Sequence, residues 1–181
     1  MPFTTRDSAI RAGCLLLAIL TLSSCDRNPD FYPLPTQRPA FDDPARWERI
    51  VHMTDADAQE HFVTDVFDPL AANWRWTGKR PLIRLTAPAH AALTYHIQFA
   101  ITPETFQSTG PVTLTFLVNG HSLDHKQYTA AGEYTFEKTV PSDWIAGGDT
   151  TLGAEVDKGF VAKDNGRTYG VVLIALGLKR N

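Results

Sequence analysis

The hydrophobic pattern changes near residue 61. From there on, apolar and polar side chains alternate. LTYHIQFAI (Leu93–Ile101) sets Leu93, Tyr95, Ile97, Phe99 and Ile101 against Thr94, His96 and Gln98. VTLTFLV (Val112–Val118) sets Val112, Leu114, Phe116 and Val118 against Thr113 and Thr115. EYTFEKTV sets Tyr134, Phe136 and Val140 against Glu133, Thr135 and Glu137, and TLGAEV groups Leu152, Ala154 and Val156. Side chains of a strand point alternately to its two faces, so each run predicts a half-buried strand. TYGVVLIALGL, which starts at Thr168, is apolar on both faces and predicts a central strand covered on both sides. Asn119-Gly120 predicts a two-residue hairpin turn with positive φ at both positions. Gly147-Gly148 and Asp164-Asn165-Gly166 are further turn signals. Six to nine strands at this spacing, with almost no long helix, predict an all-β, antiparallel β-sandwich over residues 61–181.

Upstream of this region the signals differ. FDDPARWERIV (Phe41–Val51) predicts one short N-terminal helix, with Asp43 as N-cap and Pro44 at the first helical position. Trp47 and Ile50, three apart, would share its inner face. Thr54–His61 reads as a polar connection or a further turn, so residues 41–60 form a helix and connection. Residues 25–40 read as a proline-rich tether: Asp26–Pro39 holds four prolines in fourteen residues. At about 3.1 Å per residue such a spacer reaches roughly 40 Å.

The first 24 residues read as a signal peptide. MPFTTRDSAIR carries two arginines against one aspartate, and Ala12–Leu22 is an uncharged, mostly apolar run. That run is too short to cross a bilayer as a helix but suits a secretory h-region. Leu22-Ser23-Ser24-Cys25 resembles a bacterial lipobox. The resemblance implies diacylation of Cys25, cleavage before it and acylation of the new amine. Cys14 does not fit, because Arg11 stands where the leucine belongs. Two acyl chains suffice for stable anchoring. The expected product is a lipoprotein facing the periplasm from the bacterial cell envelope, its membrane partner held through the N-terminal lipid. Asp26 resembles an inner-membrane retention signal. Once Cys25 is lipidated and Cys14 removed, no thiol remains for a disulfide.

Composition adds limits. At 43% hydrophobic and 20% charged residues, the chain can build a packed core. Its net charge of −3, with no basic cluster, argues against a nucleic-acid partner. No G-x-S-x-G elbow and no phosphate-cradling glycine loop occurs, so the expectation is a non-catalytic protein without a cofactor. His121 and His125 have the spacing of a helical zinc pair, but behind a hairpin turn they lie on a strand. Four strand residues span roughly 13 Å, too far to share a metal. The hairpin register sets His121 opposite Val118 and His125 opposite Leu114, as semi-buried histidines. Asp149, Asp157 and Asp164 match no calcium-loop spacing and read as solvated turn acids.

The stretch NWRWTGKRPLIRL (Asn73–Leu85) carries the most suggestive chemistry. On a strand, Trp74 and Trp76 share a face and Arg75 takes the other. Exposed indoles can stack on the C–H faces of sugars, and arginines can donate to hydroxyls. The plainer alternative is that the rings close the end of the core. Trp144, in VPSDWI, reads as a loop plug.

The series W-R-W-T, P-L-I-R-L-T-A-P, V-N-G, V-P-S-D-W and G-F-V-A-K-D-N-G-R-T-Y-G-V-V-L-I-A-L-G-L resembles galactose-binding-like jelly-roll domains over roughly Phe62–Leu178. That resemblance implies a jelly-roll sandwich whose loops at one end meet glycan. Asp164 lies further from Arg167 than the family pattern has it, and Tyr169 replaces a leucine. The resulting expectation is carbohydrate or envelope-polysaccharide binding through Trp74, Arg75, Trp76, Arg80 and Arg167. The alternative is a structural or assembly lipoprotein that docks another envelope protein through an exposed apolar surface.

Overall fold

The alternating runs fold as strands in the computed structural model, which describes residues 47–67 and 73–181. In chain order they are β1 (Arg49–His52), β2 (Phe62–Val66), β3 (Arg75–Ala87) and β4 (Leu93–Ile101). A short helix, α1 (Pro103–Thr109), follows, then β5 (Val112–Val118), β6 (His121–Tyr128), β7 (Gly132–Thr139) and β8 (Gly148–Val156). The chain closes with β9 (Phe160–Val161), β10 (Thr168–Tyr169) and β11 (Val172–Arg180).

Every pairing is antiparallel, and the strands run β6-β5-β8-β3-β11-β4-β7, with β1 beside β11 and β2 beside β3. The path folds into two layers that share β3. Its start pairs with β11 (Trp76 opposite Val172), while its second half pairs with β8 (Leu82–Ala87 opposite Gly153–Gly148). The change of partner falls at Gly78–Pro81. Pro81 has no N–H for a ladder bond. A Cβ on Gly78 would lie 2.5 Å from the Asp65 carboxylate and would push it aside. Asp65 accepts a 2.9 Å bond from the Arg80 N–H, which fixes the irregularity.

The core lies between the layers. Leu93, Tyr95, Ile97, Phe99 and Ile101 of β4 are at most 1% exposed, as the alternation predicts. They face Val112, Leu114, Phe116 and Val118 of β5 and Leu152, Ala154 and Val156 of β8, all buried. Phe116 stacks on Phe136 of β7 at 3.7 Å, and the buried Tyr95 hydroxyl donates to the Gly153 carbonyl at 2.7 Å. These two contacts join the layers. The fold is thus the all-β sandwich expected, with one short α-helix among the described residues.

β11 is central, between β4 on one edge and β3 and β1 on the other. A bulge between Leu173 and Ala175 explains why its sequence is apolar on both faces. Leu173 pairs with Phe99 and Leu176 with Ile97, so both point inward. Val172 and Ala175 pair with the outward-facing Ala100 and Gln98. The extra residue resets the alternation midway along the strand.

Two local expectations need correction. Arg49–His52, which overlaps the end of the helix expected over Phe41–Val51, is the strand β1, which pairs with Ala175–Leu178 of β11. The branched Ile50-Val51 pair finds a waiting strand edge, and that tertiary pairing outweighs the helix-like spacing of Trp47 and Ile50. The connection after β1 is a turn at Ala58–His61, tied down by a 2.6 Å bond from Arg49 to Asp57. The second correction concerns the Asn119-Gly120 hairpin. Its turn has the expected positive φ values, 49° and 80°, and sets Val118 opposite His121. A bulge between Phe116 and Leu117 then slips the register, so His125 faces Thr115 instead of Leu114. Both histidines are exposed, and His121 stacks on Trp144 at 4.8 Å. Cys25, the proposed signal peptide and tether, Asp43 and Pro44 lie outside the described residues.

Candidate functional site

One groove gathers residues from four neighbouring strands at one end of the β3-β11-β4-β7 layer. Asn73 and Trp74 lead into β3, and Trp76 is its second residue. Ala100 and Thr102 come from the end of β4 and just beyond, Glu133 from the start of β7, and Val172 and Ile174 from β11. Its volume is about 510 Å³, within the range of small-ligand clefts. The pairings Trp76–Val172, Val172–Ala100 and Ala100–Glu133 form a continuous row across the sheet. Val172, Ile174 and Ala100 are small or apolar and make the floor. The indoles form one side, and Asn73, Thr102 and Glu133 supply polar atoms.

The tryptophans share a face, as strand geometry demands, and both are half-buried. Their rings meet edge to face, 6.0 Å apart at 90°. Trp76 is held from behind. Phe160 lies 5.7 Å from it and Tyr169 5.1 Å from it, and these two stack on each other at 5.4 Å across the β9–β10 hairpin. Beneath the hairpin, Thr77 pins β3 to the start of β11. Its buried hydroxyl donates to the Val171 carbonyl at 2.8 Å and accepts from the Val171 N–H at 3.1 Å. Gly170 permits this approach, since a Cβ there would lie 2.3 Å from the Gly78 carbonyl.

The three arginines named with the tryptophans go elsewhere. Arg75 turns into the interior, 7% exposed, with its guanidinium 5.6 Å from the Phe62 ring. Arg80 extends toward Glu155 of β8, at 3.9 Å. Arg167 covers the ring of Phe67 at 4.5 Å, and Phe67 in turn meets Tyr169 edge to face. The structure thus brings Trp74 and Trp76 together in the groove and places Arg75, Arg80 and Arg167 outside its lining.

Sequence reasoning passed over the floor residues Ala100, Val172 and Ile174, and also Thr102 and Glu133. The alternation of its strand places Glu133 on the polar side and says no more. Gln98 donates to its Oε1 at 2.5 Å, orienting the carboxylate. Its position opposite Ala100, on a strand remote in sequence from the tryptophans, left no local signal. The loop acids take structural roles: Asp149 faces Arg84 at 3.6 Å, and Asp157 accepts from the Thr113 N–H at 2.8 Å. Val63 and Val161, the large exposed apolar side chains among the described residues, sit on separate strands, β2 and β9.

No family model matches the chain, and no curated protein does. Solved structures do show likeness. A family 35 carbohydrate binding module from Clostridium thermocellum has 13% identity and a TM-score of 0.43, over 75% of this chain and 99% of that one. A family 35 module from an environmental isolate has 13% identity and a TM-score of 0.47, over 74% and 93%. The xylan-binding module CBM15 has 11% identity and a TM-score of 0.48, over 75% and 99%. At these values the likeness carries no weight for the chemistry of the groove.

Proposed function

We propose that this domain binds carbohydrate and does not transform it, seating sugar against Trp74 and Trp76. The supporting observation is the pair of half-buried indoles, set at right angles over the apolar floor of Val172, Ile174 and Ala100. A sugar ring has C–H faces that match such a surface and hydroxyls that need polar partners at its rim. Asn73, Thr102 and Glu133 offer those partners. Trp76 is backed by Phe160 and Tyr169, so little side-chain freedom is left to lose when a ligand arrives. Lipidated at Cys25 and tethered by the proline-rich segment, the domain would hold glycan at the cell envelope.

The test is isothermal titration of the full-length protein, in detergent micelles, against a broad panel of oligosaccharides. Trp76→Ala should weaken any binding by about tenfold or more, as loss of a buried aromatic anchor does. Trp144→Ala, remote from the groove, should not. No binding across the panel, or a Trp76→Ala protein that binds as wild type, would sink the proposal.

A further inference from the structure

The charge of the groove narrows the class of sugar. Among the described lining residues, Glu133 alone is ionisable. No described lining residue is a cation, and the three arginines lie elsewhere: Arg75 in the interior, Arg80 toward Glu155 and Arg167 on Phe67. Further along the outer face of the layer, Lys179 is taken up by Glu137 at 2.6 Å, and His96 by the same carboxylate at 2.8 Å. Among the described residues, the groove therefore offers a ligand one carboxylate and two indole rings.

Each element favours a cation. A carboxylate only accepts hydrogen bonds, and Gln98 occupies part of Oε1, leaving Oε2 open to an incoming donor. Bonds between ionised partners are shorter and roughly twice as strong as neutral ones. Indole faces carry negative quadrupole density and attract ammonium groups, most strongly where water is excluded. A protonated amine on a sugar ring satisfies both demands while the C–H face of that ring still stacks. A uronate or sulfate meets like charge against Glu133 and has no described partner in the lining.

We infer that the groove selects amine-bearing glycans, with Glu133 receiving the ammonium group beside Trp74 and Trp76, and disfavours acidic glycans. This rests on the carbohydrate reading above and adds a ligand class to it.

A matched pair of probes tests the inference: a β-1,4-linked glucosamine hexamer and its fully N-acetylated counterpart, titrated into the full-length protein. The buffer is mildly acidic, so that the free amines carry their protons. A β-1,4-glucuronate hexamer and hexalysine serve as further arms. The glucosamine hexamer should bind about tenfold more tightly than the acetylated one, and the glucuronate hexamer most weakly. Glu133→Gln should reduce the amine preference to within about twofold, because it keeps the shape and removes the charge. Trp76→Ala should weaken both hexosamine hexamers together. Equal or tighter binding of the acetylated hexamer, a preference for the glucuronate, or an undiminished amine preference in Glu133→Gln would overturn the inference. The carbohydrate reading would survive if that binding still depended on Trp76. Hexalysine binding as tightly as the glucosamine hexamer would also overturn it, by showing response to charge alone. Failure of every oligosaccharide, in these arms and in the broad panel, would remove both readings.

Discussion

Replacing Thr77 by valine tests how the groove is held. Thr77 is fully buried, and valine has nearly its shape, so the packing volume is conserved. What changes is the hydrogen bonding at Val171. The Val171 carbonyl keeps a partner, since it also accepts from the Thr77 N–H at 3.0 Å. The Val171 N–H does not, because its acceptor is the deleted hydroxyl at 3.1 Å. Val171 is 1% exposed, so water has little access to the orphaned group. Leaving a buried donor unsatisfied costs about 1–3 kcal/mol, and the extra methyl returns only a fraction of that. Urea unfolding of Thr77→Val should show a lower midpoint with an unchanged slope, because the surface exposed on unfolding hardly changes. Hydrogen exchange should locate the effect, with the Val171 amide losing protection first. Trp76 is next to this residue in the chain, so glycan affinity should fall although no groove side chain was altered. A loss below about 0.5 kcal/mol would refute the claim that this pair of bonds fastens β3 to β11.

Two further substitutions probe the frame. The Asn119 side chain donates to the Trp144 carbonyl at 2.8 Å and accepts from the Thr151 N–H at 2.8 Å, while its backbone holds φ at 49°. Asn119→Ala loses both bonds and strains the turn, and a denaturation midpoint corresponding to about 2–3 kcal/mol less stability is expected. Asn119→Gly, which relieves only the strain, should cost less. Among the described residues the buried Tyr128 hydroxyl has no hydrogen-bond partner, and burial, with a smaller effect from Tyr134, pushes its pKa up to about 12. The folded protein therefore keeps this proton at a pH where the unfolded chain has released it. Its contribution to stability is intact below about pH 10 and declines as the pH rises from there toward 12. Tyr128→Phe should flatten that alkaline decline in a pH series of thermal melts and leave neutral-pH stability unchanged or higher.

Strands whose pattern is purely local were legible in the sequence. Leu93–Ile101 and Val112–Val118 have the expected bounds and faces because strict alternation leaves one way to bury them. The Asn119-Gly120 turn was equally plain, since few residue pairs accept its backbone. Errors arose where a distant strand decided the outcome. Arg49–His52 looks helical beside Trp47 and becomes extended because β11 offers an unpaired edge. His125 is displaced by a bulge that no residue in its own strand announces. The site follows the same division. Trp74 and Trp76 announce themselves, whereas the floor and Glu133 come from β4, β7 and β11, which meet only in the fold. The arginines lie apart from the tryptophans because adjacency in sequence says little at a sheet-switching strand. Trp76 and Arg80 are four residues apart, yet one lines the groove beside β11 and the other reaches β8.

That shared strand also has a mechanical meaning. A sandwich whose layers meet only through side chains can be sheared apart along its seam, but here one continuous backbone is hydrogen-bonded into both halves. If glycan binds at Trp76 as proposed, force applied through it would enter at the head of β3 and be carried along covalent bonds into the opposite layer. The domain should therefore yield as a single unit under load, with its grip on a ligand and its overall integrity failing together.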